Sequence, residues 1–381
     1  MSPANGQRDR QWMKEALALA SRARGRTSPN PMVGAVVVAP DGKAAGRGFH
    51  ERAGAPHAET LALREAGERA RGGTLYINLE PCSHQGKTPP CAPAVVAAGI
   101  SRTVAAVRDP DSRVSGKGFE ILRRGGVRID EGLCAREAVR LNEAFFHSVQ
   151  KGRPLVTLKM AMSLDGKIAM PSGESRWITG EAARARGHEF RNEVDAILVG
   201  VETLIRDDPL LTARPEGVEG KPLIRVVLDS RLRTPVDARA LPPDRGVATI
   251  VAAAEGYDSG RAKKLEDAGA EVLSLEAAKE GWPRISPLLA ALSGRGVRHL
   301  LVEGGGRVHG SFLREGLADK VMVFVAPLII GDEAAPGAVS GAGFSRIEEA
   351  PKLSRLTLEV IGDDLLIQGY LKEPIWTEFE E

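Results

Sequence analysis

Apolar positions along the chain fall into alternating helix-like and strand-like runs. Residues 12–24 carry apolar side chains at helical spacing and stop at Gly25. Residues 33–39 form a compact β-branched run closed by Asp41-Gly42, which predicts a strand and a turn. Pro56 precedes His57, and residues 58–70 then read as a helix ended by Gly72-Gly73. Residues 74–79 and 103–107 predict short strands, residues 91–98 a helix between them, and residues 135–149 a closing helix. Alternation of this kind predicts a layered α/β domain. Lys151-Gly152-Arg153-Pro154 reads as a linker, after which the alternation resumes. Strands are predicted at residues 154–162, 195–199, 223–228, 248–253 and 299–302, with helices that include residues 181–192. Residues 321–326 and 365–371 add late strands to the same sheet. Two α/β domains are therefore expected, at residues 1–150 and 151–381, as suits a chain of 381 residues.

Charge and composition narrow the functions. Lysine plus arginine, at 52, nearly cancels aspartate plus glutamate, at 50, which leaves no basic footprint for nucleic acid. Aromatic residues make up only 4%, too few for a platform that stacks single strands. No apolar run approaches the roughly 18–20 residues that span a bilayer, and the first residues are polar. Neither a nucleic-acid nor a membrane partner is expected. Three cysteines do not suggest a disulfide framework, so a reduced, cytoplasmic setting is expected, with thiolates free to bind metal.

The strongest local signal is His57-Ala58-Glu59, followed by Pro81-Cys82 and then Cys91. An imidazole and two thiolates are borderline-soft ligands that suit zinc. Three protein ligands leave the fourth tetrahedral position to water, which separates a catalytic site from a closed structural one. Water there loses its proton near pH ~7, and Glu59, two residues after the histidine, reaches it without ligating the metal. Glu59 is thus expected to take that proton and return it to a leaving amine. Taken singly, each residue also reads as a buried thiol or a helix-capping group. A structural site would need a fourth ligand, for which His84 and Cys134 are the candidates. His84 sits awkwardly close to Cys82, and Cys134 reads more simply as a small core hydrophobe.

The His-x-Glu and Pro-Cys pattern is similar to that of nucleobase and nucleotide deaminases. It departs from their general spacing, because Ser83-His84-Gln85-Gly86-Lys87-Thr88-Pro89-Pro90 separates the two cysteines where two residues are usual. With that loop, the segment closely resembles the bacterial bifunctional riboflavin-biosynthesis deaminase/reductases. Thr27-Ser28-Pro29-Asn30-Pro31-Met32-Val33-Gly34 and His50 resemble that family's amino-terminal motifs. Ser163-Leu164-Asp165-Gly166-Lys167-Ile168-Ala169, Ser172-Gly173-Glu174-Ser175-Arg176-Trp177-Ile178-Thr179, Asp207-Asp208-Pro209-Leu210-Leu211-Thr212 and Glu303-Gly304-Gly305 resemble its reductase signature. The match runs in order over nearly the whole chain.

The resemblance implies a cytidine-deaminase-like three-layer α/β/α domain followed by a dihydrofolate-reductase-like α/β domain. It implies zinc-dependent deamination of 2,5-diamino-6-ribosylamino-4(3H)-pyrimidinone 5′-phosphate. NADPH-dependent reduction of the ribosyl chain to ribityl then gives 5-amino-6-ribitylaminouracil 5′-phosphate. Asn30, His50, His84 and Lys87 fall at substrate-contacting positions of the first domain, and a lysine in a Gly-Lys-Thr loop suits a phosphate. In the second, Ala161, Trp177, Thr203, Asp207, Ser230, Gly305, Gly306, Arg307, Val308, His309, Gly310 and Ser311 match contacts to NADP. Ser175, Arg191, Leu211, Arg214 and Glu303 match substrate contacts, where an arginine fork can grip phosphate. Outside that context Trp177 reads as a core aromatic, Arg191 as a solvated helix residue, and the glycines as a tight strand-to-helix turn. Lys159 and Glu303 are the candidates for polarising sugar oxygens or moving protons during hydride transfer. Partners are expected to be small phosphorylated pyrimidines, with a homo-oligomer, dimer or tetramer, as the assembly.

Overall fold

The structure is a computed structural model and describes residues 3–86, 89–244, 246–278 and 281–379. Tertiary contacts divide the chain into two compact units. The first runs to Gly152 and takes back the segment from Ile375, and the second runs from Arg153 to Pro374. That C-terminal segment, counted with the second domain in the sequence reading, is held to the first unit by Trp376. Its buried ring lies 5.4 and 5.3 Å from the guanidinium carbons of Arg136 and Arg140.

In the first unit the elements run α1 (Pro3–Ser21), β1 (Gly34–Val38), β2 (Ala44–Phe49), α2 (Ala58–Ala66), β3 (Thr74–Ile77) and α3 (Cys91–Ala97). They continue with β4 (Arg102–Ala105), α4 (Lys117–Arg124), β5 (Arg128–Glu131), α5 (Ala135–Leu141) and α6 (Glu143–Lys151). The sheet has the order β2-β1-β3-β4-β5, with β1 antiparallel to both neighbours and β3, β4 and β5 parallel. Strand side chains alternate between faces. Ala35 and Val37 of β1 join Ala62, Val95 and Phe119 in one core, under α2, α3 and α4. Gly34 faces the other way, against α1, where a Cβ would come within 2.1 Å of the Ala16 carbonyl oxygen. Three layers result.

The hydrophobic pattern does not signal β2, because Gly46 and Gly48 occupy its inward positions. α2 lies directly on them: a Cβ would meet the carbonyl oxygens of Ala62 at 2.1 Å and of Ala58 at 2.3 Å. The helix predicted over residues 135–149 is two helices, broken at Asn142. Its buried amide accepts from the Met32 N–H at 2.7 Å and donates to the Met32 carbonyl at 2.9 Å.

The second unit contains β6 (Leu155–Ser163), α7 (Glu181–Glu193), β7 (Ala196–Gly200), α8 (Val201–Asp207), β8 (Ile224–Leu228), β9 (Thr249–Ala254) and α9 (Ser259–Asp267). β10 (Ala270–Leu275), α10 (Ile285–Gly294), β11 (His299–Val302), α11 (Gly306–Arg314), β12 (Lys320–Ala326), β13 (Ser354–Ile361) and β14 (Asp364–Tyr370) complete it. The sheet order is β10-β9-β8-β7-β11-β6-β12-β14-β13. It is parallel from β10 to β12, and β14 and β13 are added antiparallel. Both faces of the parallel part are covered, one by a core with Phe190, Val199 and Phe324, the other by Leu158, Leu198 and Phe312. Strands buried on both sides read as continuous apolar runs, which is why β7 and β9 stand out in the sequence. The chain leaves β6, β7, β8 and β11 at one edge of the sheet, the carboxyl edge at which open α/β sheets build their sites. Among the described residues no helix is long and apolar enough to cross a membrane.

Candidate functional site

In the first unit, three donors converge. His57 caps α2 and Cys91 opens α3, so both sit at helix starts, and Cys82 lies in the turn after β3. The His57 Nδ1 is 3.5 Å from the Cys82 sulfur and 3.3 Å from that of Cys91, and all three donor atoms lie within 4.8 Å of one another. The Cys91 N–H also donates to the Cys82 sulfur at 3.3 Å, which steadies that ligand. The Cys91 thiol, opposed by burial, holds Cys82 down to about 4, while Cys91 is pushed up as the proton-bearing partner. An imidazole nitrogen and two sulfurs at this spacing fit a zinc ion that displaces the thiol proton.

Glu59 stands in the first turn of α2, buried beside this cluster. Burial pushes its carboxyl up to about 7, and the charge on Cys82 adds to it. Asn30 and His50 are brought together next to the donors. The buried His50 places Nδ1 3.2 Å from the Pro56 carbonyl, which can only accept, so its Nε2 accepts from the Asn30 amide at 3.2 Å. Its ring packs edge-on to His57, with centroids 5.3 Å apart. His84 is exposed on the loop between the cysteines, and Lys87 lies outside the described residues.

Glu80, which the motif reading passes over, is a second buried acid here. Its carboxylate accepts backbone N–H groups from Gly116 and Gly118 at 2.9 Å and from Asp109 and Phe119 at 3.2 Å. The Cys82 turn is thereby fastened to the start of α4. The signal in the sequence is the position itself, since an acid between an apolar strand and Pro81 is buried and must find donors.

In the second unit the charged candidates come from four separate places. Arg191 on α7 grips Glu303, just after β11, with Nε at 2.7 Å and Nη2 at 2.6 Å, and donates Nη1 to the Thr212 carbonyl at 3.2 Å. It is neither a solvated helix residue nor an open phosphate fork. Burial would raise Glu303, but Arg191 and Lys159 together outweigh it and hold the carboxyl at about 2. Lys159, on β6, is lowered by burial and carries its ammonium 5.7 Å from the Phe324 ring centroid. Arg214 is the exposed guanidinium of the group and donates to the Thr212 hydroxyl at 2.6 Å and to His188 at 3.2 Å. The Leu211 side chain is buried in the core at a φ of 51°, so only its backbone faces outward chemistry. Ser175 lies in the loop before α7.

The glycines between β11 and α11 separate by role. Gly305 has a φ of 71°, in the left-handed region that a turn exposing N–H groups requires, and a Cβ there would meet no close clash. Gly306 and Gly310 are glycine for packing: a Cβ would come within 2.4 Å of the Gly337 oxygen and 2.0 Å of the Ser340 oxygen. The His309 ring is buried between the carbonyls of Ala338 and Val302, so its side chain serves the fold. Ser311 donates to the Arg307 carbonyl within the helix. Thr203 abuts the turn, its oxygen 3.8 Å from a Cβ built on Gly305. Ser230, after β8, keeps a buried hydroxyl with no hydrogen-bond partner among the described residues. Trp177 is 68% exposed, with the Arg184 guanidinium carbon 4.4 Å from its centroid, and is no core aromatic. Asp207 closes α8, and its carbonyl accepts from Arg176. Ala161 lines β6 near the same edge. A backbone turn, an orphaned hydroxyl and an exposed indole fit a dinucleotide with phosphates and a flat ring.

Comparison with known proteins follows this division. Residues 6–107 match the cytidine and deoxycytidylate deaminase zinc-binding region, and residues 154–367 match the RibD C-terminal domain. The riboflavin biosynthesis protein RibD of Aquifex aeolicus is 44% identical over 94% of this chain and 97% of its own. That of Escherichia coli is 37% identical over 94% of this chain and 98% of its own. A RibD structure from Acinetobacter baumannii superposes with a TM-score of 0.87 at 36% identity, covering 96% of this chain and 99% of that one. A deaminase/reductase structure from Thermotoga maritima does so with 0.82 at 34% identity, over 96% and 99%. The chain belongs to the RibD family, the bifunctional deaminase/reductases of riboflavin biosynthesis.

Proposed function

We propose that the first unit deaminates 2,5-diamino-6-ribosylamino-4(3H)-pyrimidinone 5′-phosphate and that the second reduces the product's ribosyl chain to ribityl with NADPH. The observation that carries the first half is the convergence of His57, Cys82 and Cys91 with Glu59 buried beside them. Those three side chains would hold zinc, whose Lewis acidity makes a water molecule readily deprotonated near neutral pH. Glu59 would take a proton from the attacking water as its oxygen bonds to the amine-bearing ring carbon, and would return protons to the amine, so that the carbon–nitrogen bond breaks and ammonia leaves with a ring carbonyl in its place. Asn30 and His50, locked to each other, offer the ring fixed hydrogen-bonding groups, because the Asn30 side-chain carbonyl has no partner among the described residues while its amide donates to His50. His84 and Lys87, from the loop between the cysteines, are assigned to the substrate's polar and phosphate groups.

In the second unit, the Gly305 turn with Thr203, Ser230, Trp177 and Asp207 would hold NADPH, which supplies the hydride. Lys159 and Glu303 face the sugar: the lysine polarises an oxygen, and the carboxylate, fixed by Arg191, orients a hydroxyl. Arg214, left exposed, receives the phosphate. A homo-oligomer in the cytoplasm is the accompanying assembly. The test supplies the diaminopyrimidinone phosphate with and without NADPH. Ammonia should appear in both cases, and NADPH oxidation should follow it. Oxidation ahead of ammonia, or no ammonia from zinc-loaded protein, overturns the reading.

A further inference from the structure

His188 belongs to none of the motifs, yet it stands inside the charged cluster of the second unit. α7 presents it three residues before Arg191, on the same helix face. Its Nε2 lies 3.2 Å from the Arg214 Nη2. A guanidinium only donates, so Nε2 accepts and the imidazole proton resides on Nδ1. That Nδ1 is buried and has no hydrogen-bond partner among the described residues.

We propose that His188 is a positioning residue of the reductase half, whose Nε2 aims the Arg214 guanidinium at the phosphate monoester of the substrate. The proposal rests on the reading that Arg214 receives that phosphate. Thr212 lies between the two arginines, its carbonyl accepting from Arg191 and its hydroxyl from Arg214. Arg191 has committed its fork to Glu303, and Arg214 keeps its Nε–H free among the described residues. Three cations, Arg191, Arg214 and Lys159, and one carboxylate, Glu303, act on His188, and the surplus positive charge suits a phosphate. A carboxylate at position 188 would hold Arg214 equally well but cancel the charge that the phosphate needs. A neutral imidazole steers it and leaves the charge intact. Burial, with Arg191 and Arg214 nearby, holds His188 down to about 4, so it stays an acceptor through the working range.

The test measures steady-state reduction of the deaminated ribosylamino phosphate, and its inhibition by inorganic phosphate, in full-length zinc-loaded protein. His188→Leu should raise KM for that substrate about tenfold and weaken phosphate inhibition alike, with a smaller effect on kcat and none on KM for NADPH. His188→Gln, whose amide reaches the Nε2 position, should recover most of the loss. His188→Asn reaches only the Nδ1 position and should behave like His188→Leu. In an Arg214→Gln background, His188→Leu should add nothing further. An unchanged KM for NADPH, together with an unchanged unfolding midpoint of the second unit, reports that each variant is intact. If Arg214→Gln raises KM and His188→Leu does not, or if the two losses add, the role of His188 falls alone. If Arg214→Gln leaves KM unchanged, the phosphate assignment of Arg214 falls and takes the proposal with it.

Discussion

In the first unit the reacting groups come from two helix starts and one turn, within the stretch from His57 to Cys91, and backbone geometry aims them. In the second, Lys159, His188, Arg191, Arg214 and Glu303 come from a strand, a helix and two connections, and they aim one another. The difference follows from what each site must hold. A metal ion demands few, close, soft donors, and a short motif can supply them. A phosphorylated sugar beside a dinucleotide spans many ångströms and needs charges spread along a sheet edge.

The comparison breaks most visibly if the two centres fail to separate. Chelation of zinc, or Cys91→Ser, should abolish ammonia release while reduction of the already deaminated substrate continues. Parallel loss of both activities would show that the second site depends on the first. Glu59→Gln should lower ammonia release by about 10³-fold with zinc content unchanged on metal analysis. Zinc lost along with activity would instead make Glu59 part of the donor set.

The second site should pay in stability for charges that the first does not carry. Glu303→Gln leaves the Arg191 guanidinium buried without its counter-ion, and should destabilise this unit by about 3–5 kcal/mol in denaturant titrations. Glu303 is held at about 2 in the fold, below an ordinary carboxyl. A depressed folded value stabilises above the unfolded value, so that contribution should fade as pH drops from the ordinary carboxyl range toward about 2. Glu303→Gln should flatten that acid limb; an unchanged limb assigns it to other carboxylates. The smallest effect expected is from Asn142→Ala, which removes both hydrogen bonds to Met32. It should cost the first unit about 1–3 kcal/mol, seen as a lower unfolding midpoint for that unit alone.

The parallel strands and the zinc donors were legible because each leaves a local mark: a run of apolar residues, or soft ligands behind a proline. β2 left none, since its inward residues are the glycines that α2 requires. Asn142 looks helical in sequence and breaks the helix because its amide is needed by Met32, far away along the chain. Glu80 shows the same limit, its four donors lying on a loop and helix that the sequence does not bring near it.

The sequence by itself therefore determined two α/β units, the imidazole and two thiolates, the carboxylate beside them, and the turn after β11. Folding decided the rest. It committed Arg191 to Glu303, left Arg214 open, set His188 against it, and turned Leu211 and His309 into the core. Periodicity and motif spacing record what neighbours along the chain must do. The pairs of Arg191 with Glu303 and of Arg214 with His188 join residues that the sequence keeps far apart, and so they appear only once the fold has brought them together.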